Sequence, residues 1–210
     1  LCDGARTALS SYQVCSVAMQ VVRQPGATSD EVTQVETWLK DAAADPKSGI
    51  AQVQLGEFCL LHERYQESLD IYERLLQQSP NNVIALNNLS WLLSMWKGEN
   101  DRAEKLIDRA IGKAGPVAAL LDTRGTIRLN SGNYDQAIAD FRDAVAADDS
   151  PSNRFHLALA CWKHKKPEAT RLNFRAAIDA GLRIEDLLPI EQQVFGAALT
   201  EMQVAMDASP

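Results

Sequence analysis

His156, Cys161 and His164 are the side chains of this sequence best suited by type to ligate a metal. Cys161 and His164 share a helix face at i, i+3, but His156 stands eight residues before His164 and off that face. Zinc needs four donors converging on one point, and this spacing does not supply them. The four cysteines, Cys2, Cys15, Cys59 and Cys161, form no Cys-x-x-Cys pair and match no zinc ribbon. Cys59 and Cys161 read as small buried hydrophobes, and they neither demand nor exclude an oxidising compartment. No nucleophile elbow, Walker loop, His-Glu-x-x-His or dinucleotide fingerprint is present. The abundant carboxylates fall on helix exteriors, where solvated charge explains them. The sequence therefore predicts no catalysis, no metal and no cofactor.

Charge narrows the partners. The net charge is −7 over 210 residues, of which 46% are hydrophobic and 23% charged, as for one soluble globular or solenoid domain. A groove that tracks phosphates needs clustered Lys and Arg. The one basic knot, Lys163-His164-Lys165-Lys166, sits at a predicted helix end, where it complements the helix dipole. Nucleic acid is not an expected partner. Nor is membrane insertion, because the apolar stretch from Val14 to Val22 is short and interrupted by polar residues. The chain begins at Leu1 and stops at Ala-Ser-Pro, and is read as a piece of a larger protein. With no targeting or membrane-spanning segment inside the piece, the cytoplasm is favoured.

The elements that position these residues repeat. Gly125–Val145 reads as two short amphipathic helices joined by a tight turn. Its landmarks Gly125, Ala137, Phe141 and Ala144 return earlier as Ser90, Ala103, Ile107 and Ala110, and before that as Gly56, Ser68, Tyr72 and Leu75. They return later as Ala158, Thr170, Phe174 and Ala177. A period of about 34 residues with small residues at fixed places marks a helix-turn-helix solenoid. The small residues let two helices approach closely, and the large ones fill the space between them.

In chain order, residues 1–48 read as a degenerate N-terminal hairpin. Its first helix, over 3–23, presents Ala5, Leu9, Tyr12, Val17 and Val21; its second begins at a capping box, Thr28 to Glu31, and presents Val32, Val35, Trp38, Leu39 and Ala42. Four repeats follow over 49–182, at about 49–82, 83–116, 117–150 and 151–182. The turn Lys97-Gly98-Glu99-Asn100 is one residue longer than its counterparts, an insertion expected to leave both helical faces in phase. Pro116, Pro151 and Pro167 suit helix starts, and Gly132 and Gly181 suit left-handed helix ends. Residues 183–210 form a C-terminal capping helix with Ile190, Val194, Ala197, Ala198, Met202 and Ala205 on one stripe. The expected architecture is one continuous all-α domain.

Leu55-Gly56, Tyr65, Tyr72 and Pro80, and again Gly125, Tyr134, Ala137, Phe141 and Ala144, resemble the tetratricopeptide repeat, and the phrases around Ala85–Trp91 and Leu121–Gly125 resemble a bacterial type of it. The resemblance implies a right-handed superhelical solenoid of antiparallel helix pairs, whose first helices line a concave groove. The groove positions it implies are Val53, Gln54, Glu57 and Leu61; Asn87, Asn88, Trp91 and Met95; Asp122, Thr123, Thr126 and Asn130; and Phe155, His156, Leu159, Trp162 and Lys163. Of these, Asn87, Asn88, Trp91, Met95, Asp122, Thr126, Phe155, His156, Leu159 and Trp162 form the candidate partner-binding set. Asn can pair with an extended peptide's backbone, and Trp and Phe can form pockets; packing between repeats or against the cap is the other role open to Trp91 and Trp162. The carboxylate clamp of chaperone-binding relatives is missing, because Val53, Glu57, Ala119 and Thr123 replace four of its residues.

Arg124 and Arg128 depart from the repeat, standing where it usually buries Leu and Tyr. Carboxylate partners are expected among Asp140, Asp143 and Asp108. The function implied is a non-catalytic interaction module that binds a peptide or protein segment in its groove. The alternative is a structural spacer or self-association domain whose groove holds its own C-terminal helix.

Overall fold

The protein's structure, a computed structural model, describes residues 19, 20, 22, 26–183, 185 and 187–207. The helix expected over residues 3–23 lies almost wholly outside them. The described residues form ten α-helices and no strand: α1 (Ser29–Ala43), α2 (Gly49–Leu61), α3 (Tyr65–Gln78), α4 (Val83–Leu92), α5 (Asn100–Ala114), α6 (Ala118–Asn130), α7 (Tyr134–Ala147), α8 (Pro151–Lys163), α9 (Pro167–Asp179) and α10 (Pro189–Asp207). A π turn, Leu93–Lys97, extends α4. The chain divides into two compact units, Leu1–Ala85 and Leu86–Pro210.

In the first unit, Thr28 starts α1 as its sequence implies: its hydroxyl accepts from Glu31 N at 3.3 Å, and Glu31 Oε2 accepts from Thr28 N at 2.8 Å. Val35, Trp38 and Leu39 of α1 pack with Met19 and with Ala51 and Phe58 of α2. Helices α2 and α3 meet at Gly56, where a Cβ would stand 2.6 Å from the Tyr72 ring. Only a residue without a side chain permits that approach. Ser68 Oγ donates to the Gly56 carbonyl at 2.9 Å, satisfying a buried hydroxyl at the same point. Arg64, at the α2–α3 turn, donates to Glu36 of α1 at 2.6 Å and also to Glu67.

The second unit repeats the device. A Cβ on Gly125 of α6 would fall 2.7 Å from the Phe141 ring of α7. Helices α6 and α7 pair, as do α8 and α9, while α7 rests on α8 and α5 on α6. Each helix pair turns through one left-handed residue: Glu63 (φ 57°), Gly98 (68°), Gly132 (78°) and Lys165 (55°).

One turn is built differently. Gly56 and Ser68, Gly125 and Ala137, and Ala158 and Thr170 lie 12 residues apart, but Ser90 and Ala103 lie 13 apart. The extra residue is not a simple loop insertion. It is absorbed in the π turn Leu93–Lys97, where the closing bond runs from Glu99 N to Leu93 O. The equivalent bonds, Arg64 to Cys59, Asn133 to Arg128 and Lys166 to Cys161, each span one residue fewer. Widening the last turn takes up a residue while keeping the helical ladder closed.

Two sequence expectations shift in detail. Pro116 precedes the N-cap, Val117, and α6 begins at Ala118, because Gly115 in the left-handed half of the map (φ 82°) sets the chain's exit from α5. The buried line of α10 is Ile190, Glu191, Phe195, Ala198, Leu199 and Met202, whereas Val194, Ala197 and Ala205 are exposed. The helix is thus rotated so that Phe195, its one aromatic side chain, faces inward.

Candidate partner-binding face

Within the second unit, the face of interest is made by α6, α8 and the π turn. Asp122 and Thr126 stand four residues apart on α6 and so share a side of that helix. Phe155, His156 and Leu159 come from α8. All three are buried, and so is Thr126. Helix α10 lies against α8, α9 and the π turn, bringing Phe195 to the Phe155 and His156 rings at centroid distances of 6.4 and 6.3 Å.

His156 is the centre of this arrangement. Its Nδ1 donates to Asp122 Oδ1 at 2.7 Å, and Phe141 and Phe155 flank the ring at 5.7 and 5.5 Å. Its Nε2 points toward Glu191 Oε1 of α10 across 3.6 Å and makes no hydrogen bond. Burial disfavours the charged ring, but the charge and hydrogen bond of Asp122, followed by Glu191, outweigh it and raise the pKa to about 10. The ring is an imidazolium between two carboxylates. Glu191 has a second duty, since its Oε2 accepts from Leu188 N at 2.9 Å at the start of α10.

The other candidates are placed differently. Asn87 Nδ2 donates to Asn88 Oδ1 at 3.2 Å, while Asn87 Oδ1 is buried without a hydrogen bond. Trp91 and Met95 are buried. Asn130 donates to Ser94 Oγ at 2.9 Å and Ser94 to Asn100 Oδ1 at 2.7 Å, a chain that ties α6 to the π turn and α5. Trp162 is half-buried beside a cavity of about 530 Å³ lined also by Lys163, Lys165, Lys166, Pro167 and Thr170. Val53, in the first unit, is buried, and Gln54, Glu57 and Leu61 are half-buried there.

The two unexplained arginines find their partners. Arg124 binds Asp140 through Nε and Nη2 and reaches Asp108 at 3.3 Å; Arg128 binds Asp140 at 2.6 Å and Glu104 at 3.2 Å. Asp140 and Asp108 are the partners expected; Asp143, also expected, is exposed and takes no part, and Glu104 takes a place that the sequence did not assign it. Cys59 and Cys161 are buried, and burial pushes the Cys59 thiol up to about 11. Among the described residues, no cluster of His, Cys, Asp and Glu is arranged to hold a metal ion, and no helix is long and apolar enough to cross a membrane.

The repeating small-residue contacts and helix pairs have a family. Residues 36–83 and 123–181 match the tetratricopeptide repeat. The chain belongs to the tetratricopeptide repeat family. A stretch of 99 residues, 47% of the chain, is 26% identical to the human mitochondrial import receptor subunit TOM70 and 25% identical to the rat protein. That stretch is 16% of the receptor's length. Among solved structures, the fold is similar to TTC0263, a tetratricopeptide repeat protein of Thermus thermophilus (TM-score 0.70, 16% identity, 91% of this chain and 100% of that one). It is also similar to PilW, a type IV pilus biogenesis factor (TM-score 0.71, 17% identity, 95% and 93%). The fold is thus the all-α class of tetratricopeptide solenoids, which serves as a protein-interaction scaffold.

Sequence reasoning missed Glu191 and Phe195. The available signal was their spacing: they stand four residues apart, with Phe195 the tail's one aromatic residue.

Proposed function

We propose that this chain is a non-catalytic interaction module whose α6–α8 face receives a helical segment of another protein, with α10 as its resident occupant. On this reading residues 1–48 cap one end, 49–182 carry the repeats and 183–210 close the face. One observation carries the proposal: Phe195 of α10 is seated on Phe155 and His156, residues at groove positions of the repeat. A partner and α10 would then compete, and displacement of α10 would be the binding event.

The test uses the full chain carrying Phe195→Asp, which places a charge among Phe155, His156 and Phe195. A fluorescently labelled peptide of residues 187–207 should bind this variant and bind wild type at least about tenfold more weakly. Hydrogen exchange should show α6–α9 still protected in the variant. Failure of the peptide to bind a variant with α6–α9 intact would overturn the proposal.

A further inference from the structure

We propose that the α6–α8 face selects a helical partner bearing a carboxylate four residues before an aromatic ring, the carboxylate going to His156 Nε2 and the ring to the Phe155–His156 platform. This rests on the functional reading above and adds the partner's chemistry to it.

His156 carries a donor that no acceptor approaches within hydrogen-bond distance. His156 is 3% exposed, its Nδ1 is committed to Asp122, and its Nε2 meets only the Glu191 carboxylate, as an ion pair at 3.6 Å and not as a hydrogen bond. A buried donor without an acceptor at hydrogen-bond distance is costly, and more so when the group is charged. Such an atom, facing the site where α10 docks, is a demand for an acceptor, and a carboxylate answers it best.

The resident helix answers it incompletely. Glu191 divides its two oxygens: Oε2 caps the amide of Leu188 at 2.9 Å, and Oε1 stops 3.6 Å from His156. A partner helix extending further upstream would satisfy that amide from its own backbone, and its carboxylate could close to a charge-assisted distance of roughly 2.7–2.9 Å. The resident is therefore a weaker ligand than the face admits, as a displaceable occupant must be.

The spacing follows from helix geometry. Residues four apart lie on one side of a helix, so Glu191 and Phe195 reach His156 and its flanking rings together. Aromatic pairs at these separations add to area burial. An extended peptide advances about 13 Å over four residues against about 6 Å for a helix, so it could not present the same pair to one imidazole.

The experiment is a double-mutant cycle on the full-length Phe195→Asp chain. The peptide of residues 187–207 and its Glu191→Gln form are titrated against that chain with His156 intact and with His156→Gln. Circular dichroism checks folding, and Phe195→Ala serves in place of Phe195→Asp if the latter unfolds. Expected is about tenfold weaker binding of the Glu191→Gln peptide to the His156 protein, and no difference between the peptides on His156→Gln. Equal binding of both peptides to the His156 protein overturns the recognition rule while leaving the functional reading intact. Equal binding of a Phe195→Ala peptide, or of a peptide made non-helical by internal prolines, overturns it likewise. Absence of binding by the unaltered peptide overturns the functional reading, and the rule with it.

Discussion

Arg124 and Asp140 meet through two parallel hydrogen bonds, Nε to Oδ2 at 3.0 Å and Nη2 to Oδ1 at 2.7 Å. Arg128 donates to the same Oδ2 at 2.6 Å, so one carboxylate, 3% exposed, holds two cations. Removing the anion leaves two guanidinium groups partly desolvated and close together. Asp140→Ala is expected to lower stability by about 3 kcal/mol in urea unfolding. Replacing Arg124, Arg128 and Asp140 together by apolar residues of similar size should cost much less, because no buried charge is left unpaired and the carboxylates that lose a partner, Asp108 and Glu104, reach solvent.

The small-residue contacts carry a second expectation. A Cβ on Gly125 would meet Phe141 at 2.7 Å, whereas one on Gly112 of α5 meets nothing within 4 Å. Gly125→Ala should destabilise by about 2 kcal/mol through overpacking. Gly112→Ala should stabilise by about 0.5 kcal/mol through helix propensity. Thermal melts of the two variants would show shifts of opposite sign.

The repeat was legible because its physics is local. Gly56 opposite Tyr72 and Gly125 opposite Phe141 follow from small and large residues 16 positions apart. The ion pairs of Arg124 were foreseeable because a charge at a buried position requires a counter-charge. What the sequence hid depends on non-local choices. Whether the extra residue before Ala103 becomes a loop or a π turn depends on what packs around it, and Ser94, Asn100 and Asn130 settle that through their hydrogen bonds. The rotation of α10 depends on His156, some 35 residues before Glu191. Phe155 and Leu159 matched the repeat's pattern, but no local feature singled out Phe195 as the α10 side chain that would stand beside Phe155.

Lys165 occupies the left-handed turn position that Gly132 occupies one helix pair earlier. A side chain there carries a strain of about 1 kcal/mol. Lys165→Gly should raise the melting temperature by a few degrees, and Gly132→Ala should lower it by a similar amount.

His156 makes stability depend on alkaline pH. Its folded pKa of about 10 lies above the value of 6.5 for an unperturbed ring. The stabilisation is therefore complete below about pH 6.5 and disappears as pH rises through about 10. Comparing melting temperatures of wild type and His156→Gln from pH 6 to 10.5, the gap should narrow steadily above neutrality. A constant gap would argue against an imidazolium.

Burial holds the Cys59 thiol up at about 11, so almost none is thiolate near neutrality. Cys59 should resist alkylation in the native protein and react promptly in denaturant, as mass spectrometry of the tagged peptide would show.

The π turn has a consequence for any attempt to idealise this chain. It is where the second helix pair breaks the common spacing, and it is also where α10, from the far end of the sequence, comes to rest against the repeats. A consensus array averaged over the four pairs would discard the thirteenth residue as noise. It would keep the scaffold and lose the shoulder on which its last helix leans.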